Sequence, residues 1–324
     1  MRLPLAVSLV VLLCGSSARA DDGTTPRANF NWGQVVGEGT SGYDRALAEG
    51  DRHAVASARF RRSGKGQLKR AIRAYERAIA LNPRRAEAYY RAAQSIYTLY
   101  IADVRRQPSP LMTEKALGYW GQFEKLAPLD PRLPDVLFQK SLALTKQATS
   151  DGFRKAVAIY DRLLNLSSPQ GLDPATISIY LGNKAELHMM LGELDAAIED
   201  YGLAQEYGSR SWLGYGLAVA LDRDGQAAKA RQIMRANVLS DKNMSRLSSN
   251  GTFFVPAGEK NYYLALGYEV LGDYRRALYH YQAFIDSGAH PRFHARARQH
   301  IRRLEPKARR QPRPRLRGHQ RPYY

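Results

Sequence analysis

The chain has 324 residues, a single cysteine and a formal charge of +19, from 49 Lys and Arg against 30 Asp and Glu. Such a length buries a sizeable core unaided, so a small domain held together by disulfides or by Cys-ligated metal is excluded. No apolar run reaches the roughly 20 residues needed to span a bilayer as a helix, and the excess positive charge suits anionic surroundings.

The first 20 residues read as an export signal, with Arg2, an apolar run from Leu3 to Leu13, and Ala18-Arg19-Ala20 before Asp21-Asp22. Cleavage is expected after Ala20. A lipoprotein signal at Cys14 competes, but Leu13 stands where that processing prefers a small residue. Cys14 would leave with the signal, so the mature chain could form no disulfide. Its richness in Ala and Arg and its lack of cysteine favour a bacterial periplasm. The triplets starting at Asn165, Asn243 and Asn250 would matter only on a eukaryotic secretory route.

Residues 21–45 read as a flexible linker. Gly37-Glu38-Gly39-Thr40-Ser41-Gly42 satisfies a GxGxxG pattern but follows no strand, and no kinase or P-loop partner motif appears downstream. Ser63-Gly64-Lys65-Gly66 lacks the first glycine of a P-loop.

Residues 46–304 are expected to be helical, because apolar residues recur at three and four and nothing alternates long enough for a strand. An opening helix around Arg52 to Arg62 has few apolar anchors. Beyond it a small residue is followed four later by a large one and seven later by another that can pack. The runs are Ala71/Tyr75/Ala78, Ala116/Trp120/Phe123, Ala156/Tyr160/Leu163, Ala197/Tyr201/Ala204, Ala230/Met234 and Ala277/Tyr281/Phe284. Gly66, Gly192, Gly225 and Gly272 each stand five residues ahead of such an alanine, as turn glycines would. The best units are Ser178 to Tyr207, Ser211 to Asn237 and Glu259 to Ser287.

Two insertions interrupt the pattern. Arg105 to Pro110 holds two prolines, and Val238 to Gly258 is rich in Ser, Asn and Gly. Within the second, Phe253-Phe254-Val255 either folds back over the helices or presents a docking tip. A last helix after Pro291 sets Phe293, Ala297, Ile301 and Leu304 on one side and Arg292, Arg296, His300 and Arg303 on the other, which suits a solvating end cap. From residue 305 a disordered tail is expected. After Glu305 it has no acidic residue, it carries Lys307, Arg309, Arg310, Arg313, Arg315, Arg317 and Arg321, and Pro306, Pro312, Pro314 and Pro322 argue against a helix.

These runs resemble the tetratricopeptide repeat (TPR) family. Leu264-Ala265, Tyr268, Gly272 and Ala277 stand where that family has its large-then-small pair, packing aromatic, turn glycine and helix-approach alanine. Only the step from Ala197 to Ala230 comes close to the family's usual 34 residues, so the longer steps need insertions. The resemblance implies an all-α, right-handed superhelical solenoid of helical hairpins, each covering the apolar face of its neighbour. It also implies a concave groove lined by the first helix of each repeat: Tyr90, Gln94 and Tyr97, then Gly182, Glu186 and Met189, then Tyr215, Val219 and Asp222, then Tyr262, Leu266 and Glu269. The family's Lys and Asn clamp for carboxylates is missing from this set.

A groove so aromatic and mildly acidic would accept a protein or peptide segment that is apolar with Arg or Lys, the chain's own tail being one competitor. The same tyrosines would otherwise be packing between repeats. The basic tail reads as a tether to an anionic envelope surface, where lipid headgroups attract roughly 1 kcal/mol per nearby Lys or Arg. An exported protein seldom meets nucleic acid, so none is expected as partner. His53, His188, His280, His290, His294, His300 and His319 show no metal-ligand spacing, and Gly208-Ser209-Arg210-Ser211 is no nucleophile elbow. No enzyme, cofactor or metal is therefore expected. The function expected is a periplasmic binding scaffold, or else a constitutive accessory subunit of an envelope enzyme or secretion complex.

Overall fold

The structure, a computed structural model, describes residues 41–59, 64–103, 106–166, 171–208, 211–248, 254 and 256–312. The expected signal, most of the linker, Phe253, Val255, and tail residues Arg313, Arg315, Arg317 and Arg321 lie outside the described residues. Regular structure among the described residues is entirely helical. The chain divides into two compact units, residues 1–171 and 172–324.

Unit 1 contains α1 (Gly42–Arg59), α2 (Gly64–Leu81), α3 (Ala86–Ile96), α4 (Pro110–Leu126), α5 (Leu133–Lys146) and α6 (Ser150–Asn165). They pair in sequence as the hairpins α1/α2, α3/α4 and α5/α6. The residues that predict this packing form it: Ala71, Tyr75 and Ala78 are buried, as are Ala116, Trp120, Phe123, Ala156, Tyr160 and Leu163. Small residues let the axes approach. A Cβ on Gly50 would stand 2.3 Å from the Tyr75 ring, so α1 meets α2 through a glycine.

Side-chain caps begin α4 and α6, where Ser109 and Thr149 accept the backbone N–H of Met112 and Gly152. At its other end α3 continues as a π-helical turn, Tyr97–Ile101. Buried Lys146 closes that turn by donating to the carbonyls of Ile101 and, at 3.2 Å, Asp103. Burial lowers its pKa to about 8, because the ammonium has given up water for those carbonyls.

Unit 2 contains α7 (Pro174–Leu191), α8 (Leu194–Tyr207), α9 (Ser211–Arg223), α10 (Ala227–Ser240), α11 (Lys260–Val270), α12 (Tyr274–Asp286) and α13 (His294–Arg310). The first six form three hairpins, and α13 packs on α12. Ala197, Tyr201, Ala204, Ala230, Met234, Ala277, Tyr281 and Phe284 are all buried. Gly192, Gly225 and Gly272 take φ of +81°, +88° and +77°, the left-handed conformation that closes each hairpin and that glycine adopts without a Cβ penalty.

Local rules mislead in three places. Gly66 is no turn residue: it lies in the first turn of α2. Helix α1 starts at Gly42, inside the segment expected as linker, because Tyr43 is buried and its hydroxyl accepts the Ala88 N–H at 3.2 Å. At the other end α13 runs through Pro306 to Arg310, where a tail was expected from 305. A proline there leaves one backbone carbonyl a turn earlier without its N–H, at exposed Arg302 where water can serve it. Buried Leu304 and Ala308 hold the last turn down, and Gln311 ties it to the Gly272 carbonyl at 2.6 Å.

Candidate functional site

The predicted groove residues fall into two sets, one per unit. In unit 1, Tyr90 and Gln94 on α3 and Tyr97 at the start of the π-helical turn that continues it follow one another at helical spacing, and all three are half-buried. Their rings are backed by the core. Tyr90 lies 5.3 Å from the Phe123 ring and Tyr97 5.7 Å from Trp120, centroid to centroid. The Arg132 guanidinium stands 4.3 Å from the Tyr90 ring centre, and Gln94 Nε2 donates to the Tyr90 hydroxyl at 3.3 Å. Arg132 is itself held by Glu87 and Asp130, each at 2.8 Å. The ledge is thus aromatic, rigidly supported and bordered by paired charges.

In unit 2 the corresponding positions are turned to internal use. Met189, Tyr215, Asp222 and Tyr262 are almost wholly buried and Glu269 nearly so. Tyr215 donates to Asp241 at 3.4 Å, and Tyr262 to Asp222 at 2.7 Å. These tyrosines pack between helices, the other reading of them, and do not line an open groove. Glu186 accepts from Tyr201 and, at 3.0 Å, from Tyr263. Burial, with the charge of Glu259 adding to it, raises the pKa of Glu186. Phe254 stacks edge-on against Tyr263 at 4.9 Å, so this residue of the second insertion folds back onto the unit and is not a docking tip.

The cover over the acidic positions is α13. Phe293, Ala297 and Leu304 are buried as expected, and Arg292 and Arg303 are exposed, but Arg296 is half-buried and His300 turns inward: His300 is 2% exposed, its Nε2 lies 2.9 Å from Asp222 Oδ2 and its Nδ1 2.7 Å from Glu269 Oε2. Two carboxylates beside the ring nitrogens favour the protonated ring, although Arg303 Nη2 also lies 2.8 Å from Nδ1. Although burial opposes the charge, the bonds to Asp222 and Glu269 outweigh it, and the pKa of His300 is raised. Arg296 meets Asp222 at 2.7 Å, Arg303 meets Glu269, and Tyr281 stacks 4.8 Å from the His300 ring. Burial would push Asp222 upward, but His300, Arg296 and Tyr262 together hold it well below the carboxylate range.

Beside this lies a second buried pair that sequence reasoning did not find. The side chains of Arg223 and Glu259 are both fully buried, Nη1 2.6 Å from Oε1. The guanidinium sits over the rings of Phe293 (4.1 Å) and Tyr262 (4.5 Å). His290 Nδ1 lies 2.7 Å from the other Glu259 oxygen. Burial raises the Glu259 carboxyl, but Arg223 and His290 bring it down to about 2. For the α13 cluster the available signal was the spacing Arg296, His300, Arg303, which puts three basic residues on one helical face.

Among the described residues no group of three or more His, Cys, Asp and Glu side chains is placed to hold a metal ion. No described helix is long and apolar enough to cross a membrane.

A family model described as TPR repeat matches residues 64–99, which contain α2 and α3. No curated protein matches the chain. Among solved structures, YrrB, a TPR protein with an unusual peptide-binding site, is 17% identical, covering 63% of this chain and 94% of its own, with a TM-score of 0.43. The TPR2AB domain of yeast Sti1 in complex with pHSP90 is 16% identical over 82% of this chain and 98% of its own, at 0.28. The P58(IPK) TPR domain is 18% identical over 83% and 80%, at 0.25. These superpositions are loose. The hairpins of unit 2, built on buried small-large pairs and closed by left-handed glycines, are consistent with a TPR fold.

Proposed function

We propose that this TPR-repeat protein is a non-catalytic scaffold that holds another protein or a peptide, and that Tyr90 and Gln94 on α3, with Tyr97 on the π-helical turn that follows, are its recognition surface. The observation that carries the reading is the support behind those rings. Phe123, Trp120 and Arg132 back them while both residues stay partly exposed, so much of the entropy cost of ordering an aromatic contact is met before a partner arrives. The equivalent positions of unit 2 are covered by the chain itself. The partner segment that suits the ledge is apolar, with a basic residue to reach the Tyr90 hydroxyl or Glu87.

The setting proposed for this binding is the periplasm, after cleavage at Ala20. Lys307, Arg309 and Arg310 on the last turns of α13, with the arginines that follow, would keep the protein near anionic envelope components.

A photo-crosslinking residue at Gln94 tests the surface in cells that make the protein. It should capture a discrete partner, and the crosslink should be lost in Tyr90→Ala/Tyr97→Ala, since an aromatic anchor contributes about 2 kcal/mol, roughly 30-fold in affinity. The same probe at exposed Leu81 serves as control. If Gln94 captures only what Leu81 captures, the assignment fails.

A further inference from the structure

We infer that unit 2 carries a binding cleft for a small phosphate ester between α10, α12 and α13. A cavity of about 340 Å³ opens there. Arg231 and Arg235, one turn apart on α10, form one wall, and Arg303 and Lys307, one turn apart on α13, form another. Tyr274, Leu304 and Val270 supply an aromatic and apolar floor.

What sets this cleft apart is that its cations face one another across a hollow. The buried cations of α13 are set against acids, Arg296 and His300 meeting Asp222 and His300 meeting Glu269, while Arg298, Arg302, Arg309 and Arg310 stand exposed without an ion pair among the described residues. In the cleft the one carboxylate, Glu269, is already held by His300 and by Arg303 Nη2, which leaves Arg303 Nε and Nη1 for another acceptor. Arg231, Arg235 and Lys307 make no ion pair among the described residues. Lys307 Nζ lies only over the Tyr274 ring, 5.4 Å from its centre. Four cations set round one hollow repel one another, and folding alone gives no reason to gather them. A multiply charged anion removes the repulsion.

Phosphate monoester chemistry fits this lining. Guanidinium forks match phosphoryl oxygens in pairs, Lys adds a point charge, and the dianion matches several cations better than one carboxylate does. The floor takes an organic group, and a hollow at the small end of the ligand-pocket range admits a phosphoryl head with a modest substituent. The same head occurs on soluble esters and on phosphatidic acid in a membrane.

Calorimetry on the mature full-length chain at low salt, with phenyl phosphate as probe, tests the cleft. Saturable binding at one site is expected. Arg235→Glu should weaken it at least about tenfold, the value of a lost charge-assisted contact. Arg298→Glu makes the same charge change on an exposed part of α13 and should alter affinity by less than about threefold. Vesicles with and without phosphatidic acid, run with the same two variants, form the second arm. Binding of phenyl phosphate with that contrast supports a soluble ester, and binding of phosphatidic acid vesicles alone with that contrast supports a lipid headgroup. Saturation by neither probe, or equal weakening by both variants, overturns the cleft.

Discussion

Replacing Arg223 with Met should destabilise unit 2 in a way that depends on pH. Methionine retains an unbranched chain against Phe293 and Tyr262 but removes the cation 2.6 Å from Glu259. Breaking one side of a fully buried ion pair costs about 3–5 kcal/mol, since the other charge is left without its partner. His290, still 2.7 Å from Glu259, places the expectation at the lower end, about 3 kcal/mol. With a urea m-value of about 3 kcal/mol/M, the midpoint should fall by about 1 M. Urea unfolding, with hydrogen exchange of α9 and α11 to localise the loss to unit 2, measures this. In the native protein the Glu259 carboxyl lies at about 2, below its ordinary 4.5, so its contribution is present above 4.5 and is lost as pH falls through 2. In Arg223→Met burial is opposed only by His290, and the folded pKa rises. A raised carboxyl destabilises the fold above that pKa and ceases to do so once protonated, so the gap between variant and native protein should narrow from pH 7 to pH 4. Adding Glu259→Gln should recover most of the loss at pH 7. A loss under about 1 kcal/mol, or a gap that does not change with pH, would refute the reasoning.

His300 should give stability the opposite pH dependence. Its folded pKa is raised, so its contribution is complete below the ordinary 6.5 and is lost as pH rises through the folded value. Exchange of α13 amides, corrected for intrinsic rate, should therefore quicken between pH 6 and pH 9. The change should vanish in His300→Gln, where Asp222, Glu269, Arg296 and Arg303 still face the site but nothing titrates among them. Glycines supply a packing test. A Cβ at Gly216 would lie 2.4 Å from Cζ of buried Tyr201, so Gly216→Ala should cost about 1–3 kcal/mol. Gly202, also helical but with nothing within 4 Å of its Cβ, should gain about 0.5–1 kcal/mol as Ala. Urea midpoints would show both, and equal effects would mean that α9 does not approach α8 as closely as the structure has it.

Hairpin positions were legible because helix periodicity alone decides them. Ala277, Tyr281 and Phe284 lie four and three apart, must share a face, and that face must be covered; all three are buried. Helical register was legible too, since Asp222, Tyr262 and Glu269 do share one neighbourhood. What covers that neighbourhood was not. The polar side of α13 reads as solvated from its own sequence, and only the fold brings His300 to acids dozens of residues earlier in the chain. Pro306 failed for the same reason, because a local rule against helix lost to the burial of Leu304 and Ala308 around it.

The two sides of α13 separate what charge does for the fold from what it leaves over. Arg296 and His300 are answered by Asp222 and Glu269, so the charges beneath α13 are matched within the chain. Lys307, with Arg231 and Arg235 facing it from α10, has no acid to answer it among the described residues, although Glu269 already satisfies two other cations nearby. A helix whose only task were to cap the stack could present Gln or Ser at 307 at no loss to packing, since Lys307 is exposed. Cations kept together where they repel one another make sense when the neutralising group comes from outside the chain, and this is why the hollow between α10 and α13 is a better place to seek a small ligand than the buried acids one turn away.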